Sequence, residues 1–281
     1  MPDATALSRE DRPAGAYDPG RNRRIGAFHW PGFATLLNRE LRRLRKLAAM
    51  MVIAPAIMAA IYFACFALGL GVQRGTAAGD QVLTFLVPGL IMLSVLLRAA
   101  ELNGFSILGS KLDGVMLDQL MAPVGAREVV AAYAVSSTAA GVICGVAIWL
   151  VSLLIWPMPV ADPPAALAFA ALGAMSMGLI GLLTGIVSDK WDHMAAWFTF
   201  IFVPLAFLSG AFAPVDAMPS PLREIAMASP MFYAVDGFRW AMLGTGAHQP
   251  PLLSAAILLG VNAALWALAA ALYARGWRMK A

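Results

Sequence analysis

The sequence predicts an all-α integral membrane protein with six transmembrane helices and both termini in the cytoplasm. Of its 281 residues, 60% are hydrophobic and 13% are charged, whereas soluble domains are about half apolar and about a quarter charged. Uncharged runs of about 20 residues, the length that crosses a bilayer, recur six times. Backbone in hydrocarbon bonds within its own segment unless it closes into a barrel, and the alternation of barrel strands is not visible. The runs are therefore read as helices.

Each predicted span is one of these runs. The six are 47–70, 81–97, 129–156, 165–187, 195–213 and 252–274. Residues 1–27 are polar and lack the apolar core of a signal peptide, so we expect a disordered cytoplasmic tail. Basic residues beside a span mark its cytoplasmic side, and "RELRRLRK" precedes the first span while "RGWRMKA" follows the last. Residues 275–281 are thus predicted to be a second cytoplasmic tail.

An amphipathic helix is predicted over residues 28–46, just before the first span. Apolar residues recur there at helical spacing and basic residues surround them, which is typical of a helix lying on a membrane surface. The arginines would reach anionic headgroups. A plain positive-inside anchor with no further role is the alternative. The predicted interface residues are Phe33, Leu37, Arg39, Arg42, Arg43 and Arg45.

A second short helix is predicted at about 111–122, between the second and third spans, in "KLDGVMLDQLMAPV". Leu112, Met116 and Leu120 fall on one apolar stripe, with Val115 and Met121 beside it. Acidic and amide side chains face away, and a proline ends the helix; these are Asp113, Asp118, Gln119 and Pro123. Because acidic residues suit an anionic membrane poorly, a protein partner is favoured over a purely interfacial helix.

Residues 213–246 are predicted to be an external re-entrant segment. After the fifth span, "LSGAFAPVDAMP" contains prolines that stop a helix, and two short helical patterns follow that are too short to cross. Irregular backbone and charges at membrane depth need protein or a water-filled cavity around them. Asp236 and Arg239 are spaced for an i,i+3 ion pair. An external loop with amphipathic helices on the outer leaflet is the alternative.

The sequence offers no catalytic or metal-binding constellation. "GFSILGSKL" lacks the Gly-Lys-Ser or Gly-Lys-Thr order of a phosphate loop, and "SDKWDH" is interpreted as a solvated turn rather than a metal site. Arg98 and Glu101 are expected at the cytoplasmic end of the second helix. Charged relays within the spans, which ion-coupled carriers use, are then missing. This counts against a secondary transporter.

The order of these elements resembles the permease subunits of ATP-binding-cassette type-2 exporters, over about residues 30–275. Four segments carry the resemblance: "FLVPGLIMLSV", "DGVMLDQLMAPV", "PLAFLSGAFAPVDAMP" and "ASPMFYAVDGFRWAMLG". Ser229 stands where the family usually has asparagine before Pro230, and Met218 stands where leucine often precedes Pro219. The overall pattern is most similar to the bacterial inner-membrane branch that exports polysaccharides, nodulation factors and drugs.

The resemblance implies a transmembrane domain over 47–274 that has no ATPase of its own. Two permeases, as a homodimer or a pair, would work in the membrane lipid of the bacterial inner membrane with a separate ATPase subunit that binds ATP and Mg²⁺. No cofactor on this chain and no nucleic-acid partner are implied. The implied ATPase-coupling residues are Leu112, Asp113, Val115, Met116, Leu117, Asp118, Leu120 and Met121. The implied external-gate residues are Gly210, Phe212, Pro214, Pro219, Pro230, Tyr233, Asp236 and Arg239.

The cargo implied by the resemblance is amphiphilic: a glycolipid, a polysaccharide or a hydrophobic drug. Three alternatives remain open at this point. A secondary transporter would show intramembrane charges or inverted symmetry, and a membrane-embedded enzyme would show clustered His, Asp or Cys residues. A non-transporting membrane scaffold would leave the coupling helix and the re-entrant segment without a role.

Overall fold

The computed structural model describes residues 28–69, 77–121 and 124–277, and within them the regular structure is helical. The predicted tail 1–27, Pro123 and the last residues of the C-terminal tail, 278–281, lie outside the described residues. In the described part of the chain the helices are α1 (Trp30–Gly69), α2 (Ala77–Leu112), α3 (Val115–Met121), α4 (Ala126–Ile155), α5 (Pro163–Val187), α6 (Trp191–Ala211), α7 (Ser220–Ala228), α8 (Pro230–Leu243) and α9 (Pro251–Ala274).

Five described helices are long and apolar enough to cross a membrane. They are Gln81–Leu112, Ala126–Leu154, Pro163–Val187, Trp191–Ala211 and Pro251–Ala274. The second to sixth predicted spans are confirmed as apolar helices of membrane-crossing length. In α1, the apolar stretch in the described residues is the shorter Val52–Cys65. The count of six spans and the orientation of the termini therefore stay predictions.

No break in the helix separates the predicted interface helix, 28–46, from the first predicted span, and the boundary between them stays a prediction. One helix, α1, runs from Trp30 to Gly69 without interruption. Leu, Arg, Lys, Ala and Met dominate the sequence around residue 46, and these residues favour helix. The first half of α1 packs against α2 and α4: Leu44 lies with Leu102 and Ala140, and the His29 N–H donates to Glu128 Oε1 at 2.9 Å.

The second helix continues well beyond its predicted end at residue 97. Arg98 and Glu101 were expected at the cytoplasmic end of the helix, but α2 extends to Leu112. Arg98 lies thirteen residues before Lys111, which is about 20 Å along a helix axis. Arg98 and Glu101 form an i,i+3 ion pair of 2.5 Å. Because the charges offset each other, they did not mark the end of the apolar helix.

Small residues bring α2 and α5 into close contact at the centre of the bundle. Gly181 and Gly185 of α5 face Ala100 and Gly104 of α2, and a Cβ on Gly181 would overlap the backbone oxygen of Ala100. Close approach of backbones through small residues stabilises helix pairs in membranes. α2 can therefore keep its position only if residue 181 has no side chain.

We expect Gly181→Ala to lower the free energy of unfolding by about 1–3 kcal/mol, because α2 must move away to admit the methyl group. The matched control is Gly260→Ala in α9, where an added Cβ meets nothing within 4 Å. That change should be neutral or stabilising by up to about 1 kcal/mol, since alanine favours helix over glycine. An SDS-unfolding titration of the purified chain compares the two. Equal effects would contradict the assigned contact.

Candidate functional site

The short helix α3 lies at one end of the bundle and presents an exposed apolar face. α2 ends at Leu112, Gly114 turns the chain with a φ of +75°, and α3 follows. Leu112, Val115 and Met121 are exposed, at 39%, 41% and 78% of their surface. Asp118 is exposed beside them. This face is open to a partner.

Met116 and Gln119 do not lie where the single-stripe prediction put them. Met116 is 1% exposed and packs among Ile107, Val129 and Tyr133, so it belongs to the inner face of α3. Gln119, predicted to face away, is also buried. α3 packs on the chain with one side and exposes the other, and the apolar residues are divided between them. The side chains of Leu117 and Leu120 lie outside the described residues.

A buried polar network surrounds Glu40 at the same end of the bundle. Arg39 Nη2 donates to Glu40 Oε1 at 2.7 Å and to the Tyr133 hydroxyl at 3.2 Å. The Ser106 hydroxyl donates to Glu40 Oε2 at 2.8 Å and accepts from Arg43 Nη1 at 2.7 Å. The network joins α1, α2 and α4 through charge-assisted hydrogen bonds, which are stronger than neutral ones.

Gln119 adds α3 to this network. In the amide orientation that satisfies both groups, the Gln119 side-chain oxygen accepts from Arg39 Nη2 at 3.0 Å and from Nη1 at 2.6 Å. Burial alone would lower the pKa of Arg39, but Tyr133 and Glu40 favour the charged form and the pKa is raised above its ordinary value. Arg39 is therefore charged at any physiological pH.

The structure divides the predicted interface residues into two groups. Arg39 and Arg43 turn toward the protein, whereas Arg42 and Arg45 are exposed. At the start of α1, the Phe33 ring packs beside the rings of Phe28 and Trp30. Leu37 is half-buried. The expectation that all four arginines extend to headgroups is wrong for the two that hold α1 to the bundle.

Lys111 ties the end of α2 to the end of α5. Its Nζ is buried and donates to the backbone oxygens of Ile186, at 2.9 Å, and Ser188, at 2.6 Å. It also approaches Asp189 Oδ1 at 3.5 Å. The last carbonyls of a helix have no partner within the helix, and a cation there also suits the helix dipole. α2, and α3 after it, are thereby held to the α5 terminus.

The predicted external gate begins where α6 ends, at the other end of the bundle. α6 contains two π-helical segments, Phe198–Phe202 and Phe207–Ala211, around Pro204, which cannot donate a backbone hydrogen bond. Gly210 has a φ of +82°, a conformation that favours glycine. Phe212 stacks on Phe207 with ring centroids 4.6 Å apart. The chain thus leaves the span in a bent, irregular backbone.

Two short helices then follow, as the sequence predicts. Pro214 and Pro219 are exposed and flank a 3₁₀ turn at Val215–Ala217. Pro230 opens α8, and the Ser229 hydroxyl caps that helix by accepting from the Met231 N–H at 3.2 Å. Ser229 can thus fill the capping position at which the permease family usually has asparagine. Tyr233 is half-buried, with its ring 5.2 Å from that of Phe232.

The expected ion pair between Asp236 and Arg239 is wrong, because each finds backbone partners instead. Asp236 accepts from the backbone N–H groups of His248 at 2.9 Å and Gln249 at 3.0 Å. Arg239 donates to Gly210 O at 2.8 Å and lies over the Phe85 ring at 3.8 Å from its centroid. Both side chains are buried. Arg239 therefore joins α8 to the end of α6 and to α2.

Sequence reasoning missed the Arg98–Glu101 pair as a candidate functional site. Charges at membrane depth almost always face the bundle interior or a water-filled cavity, and these side chains are 21% and 32% exposed. The signal in the sequence was the run "LNGFSILGS" after Glu101, which carries no charge before Lys111. That run shows that the pair lies inside an apolar helix rather than at its end.

Comparisons with known proteins agree with this architecture. The family model described as ABC-2 type transporter matches residues 31–243. The inner membrane transport permease YadH of Escherichia coli (strain K12) is 28% identical over 217 residues, which cover 77% of this chain and 85% of YadH. Nodulation protein J of Rhizobium leguminosarum bv. viciae is 26% identical over 204 residues, covering 72% of this chain and 76% of that protein. The chain belongs to the ABC-2 type transporter family.

Proposed function

We propose that the chain is the membrane-spanning subunit of an ATP-driven exporter in the bacterial inner membrane. Two permease copies would form the pathway, and a separate ATPase subunit carrying ATP and Mg²⁺ would supply the energy. The cargo would be amphiphilic: a glycolipid, a polysaccharide or a hydrophobic drug. α7 and α8 would form the external gate. The match to the family and to permease relatives supports a role in transport. The ATPase subunit and the class of cargo are proposed here.

The observation that carries the proposal is the surface between α1 and α3. A cleft of about 630 Å³ lies there, lined by residues of both helices that include Arg39, Arg42, Val115, Asp118 and Gln119. Its rim has exposed charges of both signs and its wall has exposed apolar residues. Protein interfaces combine an apolar core with a polar rim in this way. A soluble ATPase is a suitable partner for such a surface.

The network around Glu40 explains how a partner at this surface would act on the spans. Gln119 of α3 contacts Arg39 of α1, and Arg39 contacts Tyr133 of α4. Ser106 links the same carboxylate to α2. A push on α3 would therefore move four helices together rather than bend one connection. ATP binding would then shift the packing of the bundle between two states.

A second candidate function is ion-coupled transport, which the Arg98–Glu101 pair favours. Such intramembrane charged pairs are found along ion and proton pathways. The two candidates differ in what drives them: the exporter needs the ATPase, whereas the ion-coupled carrier works with a gradient alone. Reconstituted vesicles given either ATP with the ATPase, or a proton gradient without it, distinguish them.

Val115→Asp should weaken binding of the ATPase about tenfold, because it places a charge in the apolar part of the α3 face. Affinity purification of the full-length chain from its native membrane in mild detergent, with the ATP hydrolysis rate of the eluate, measures this. The matched control is Leu222→Asp in α7, at the other end of the bundle, since Leu222 and Val115 are both 41% exposed. Full ATPase recovery with Val115→Asp would overturn the assignment of the surface.

A further inference from the structure

An apolar cavity of about 200 Å³ lies among α2, α4, α5 and α8, near the gate end of the bundle. Its lining residues are apolar, with one tryptophan among them. The residues that define it are Ile91, Trp149, Ala166, Ala170, Phe238 and Met242. Phe238 and Met242 belong to α8, so the re-entrant helix forms one wall.

The cavity reaches the outer surface of the bundle. Val146 of α4 and Leu167 of α5 line it, and they are 47% and 56% exposed. Both helices are apolar enough and long enough to cross a membrane, so their exposed side chains face hydrocarbon. The interior residues Ile91, Ala166 and Ala170 are buried. A guest from the bilayer could therefore enter between α4 and α5 and extend inward to α2.

The apolar lining of the cavity determines which kind of molecule can bind there. A water molecule needs two to four polar partners, and the walls do not offer them. An empty cavity of this kind would leave its lining without dispersion contacts. A partner helix would cover an exposed face, whereas this space lies between helices. The acyl chains that would surround α4 and α5 in a bilayer match its apolar lining.

We propose that this cavity binds one acyl chain of a bilayer phospholipid, held between α4, α5 and α8. The bound acyl chain packs against Phe238 and Met242 of α8, so the position of α8 depends on the lipid. This site requires neither the ATPase nor a cargo. Its test therefore stands or falls independently of the exporter assignment.

The test uses the purified full-length chain in nanodiscs that contain phosphatidylethanolamine, phosphatidylglycerol and a small fraction of phosphatidylcholine with a diazirine in its acyl chain. After irradiation, mass spectrometry locates the cross-linked residues. We expect cross-links at the buried wall residues Ile91, Ala166 or Ala170. Val146→Trp should abolish them by filling the entrance. Ile143→Trp should retain them, since Ile143 is on the same helix, is 48% exposed and does not line the cavity.

Four results would overturn the proposal. In the unaltered chain, cross-links confined to exposed residues of α4 and α5 would show that the lipid stays outside, and this result needs no variant to fold. Cross-links at the wall residues that persist in Val146→Trp, or that disappear equally in Ile143→Trp, would show that the cavity entrance is not the route. A disulfide-linked dimer formed by Val146→Cys would show that a second copy covers this surface.

Discussion

Arg239→Met is expected to lower the free energy of unfolding by about 3 kcal/mol, because a buried, charge-assisted set of hydrogen bonds is lost. Arg239 donates to the backbone oxygens of Gly210 at 2.8 Å, and more weakly to those of Phe85 and Ala211 at 3.4 Å. The Gly210 carbonyl, at the bend that ends α6, would lose its donor. An SDS-unfolding titration of the purified chain in detergent measures the change.

Two control variants sharpen this experiment. Arg239→Lys keeps the charge but lacks the planar fork that serves several acceptors, so its effect should be intermediate. Arg223→Met in α7 removes an arginine whose side chain is 42% exposed and pairs with Asp216 at 3.0 Å. Exposed pairs contribute about 0–1 kcal/mol, so this change should be small. If Arg239→Met is as mild as Arg223→Met, Arg239 does not hold α8 to α6.

Glu40→Ala is expected to lower the free energy of unfolding by about 2–3 kcal/mol. The Glu40 side chain is buried and accepts from Arg39 and Ser106. Without it, Arg39 loses its counter-ion and Ser106 loses its acceptor. Arg39 is partly exposed, at 38%, so water offsets part of its loss. The same SDS titration applies.

The Glu40 prediction has a second readout, because the network also positions α3. Glu40→Gln keeps the size and one acceptor but removes the charge, so its stability loss should be smaller. The control Glu224→Ala changes an exposed residue of α7 and should have little effect. If the chain works with an ATPase, as proposed, Glu40→Ala should also slow ATP hydrolysis by the copurified complex. Normal stability with Glu40→Ala would contradict the assigned network.

The sequence predicted the helices well and their ends less well. Residues 165–187 and 252–274 were placed within two residues of α5 and α9, because uncharged runs bounded by proline or charge have clear limits. The predicted end of α2 at residue 97 is too early, because the prediction treats charged residues as markers of the membrane surface. Arg98 and Glu101 break that rule, since a neutralised pair can lie inside an apolar helix.

In the candidate site, too, the sequence predicts which segments are helical but not which contacts their side chains make. Periodicity indicated that α3 is amphipathic, yet it could not tell that Met116 packs inward while Val115 and Met121 stay exposed. Likewise, i,i+3 spacing suggested an Asp236–Arg239 pair. The partners that these side chains actually use, Gly210 and His248, come from other elements. Tertiary contacts of this kind leave no mark in local spacing.

If an ATPase binds at α3, as proposed, its nucleotide cycle is expected to move α7 and α8 at the other end of the bundle. The most direct measurement introduces Ile225→Cys in α7, where Ile225 is exposed, together with Cys65→Ser and Cys144→Ala. The rate of modification by a membrane-impermeant maleimide is then compared for the ATPase complex with and without ATP and vanadate. We expect that nucleotide changes this rate and that adding Val115→Asp abolishes the change. A complex that hydrolyses ATP but is modified at one unchanged rate would contradict it.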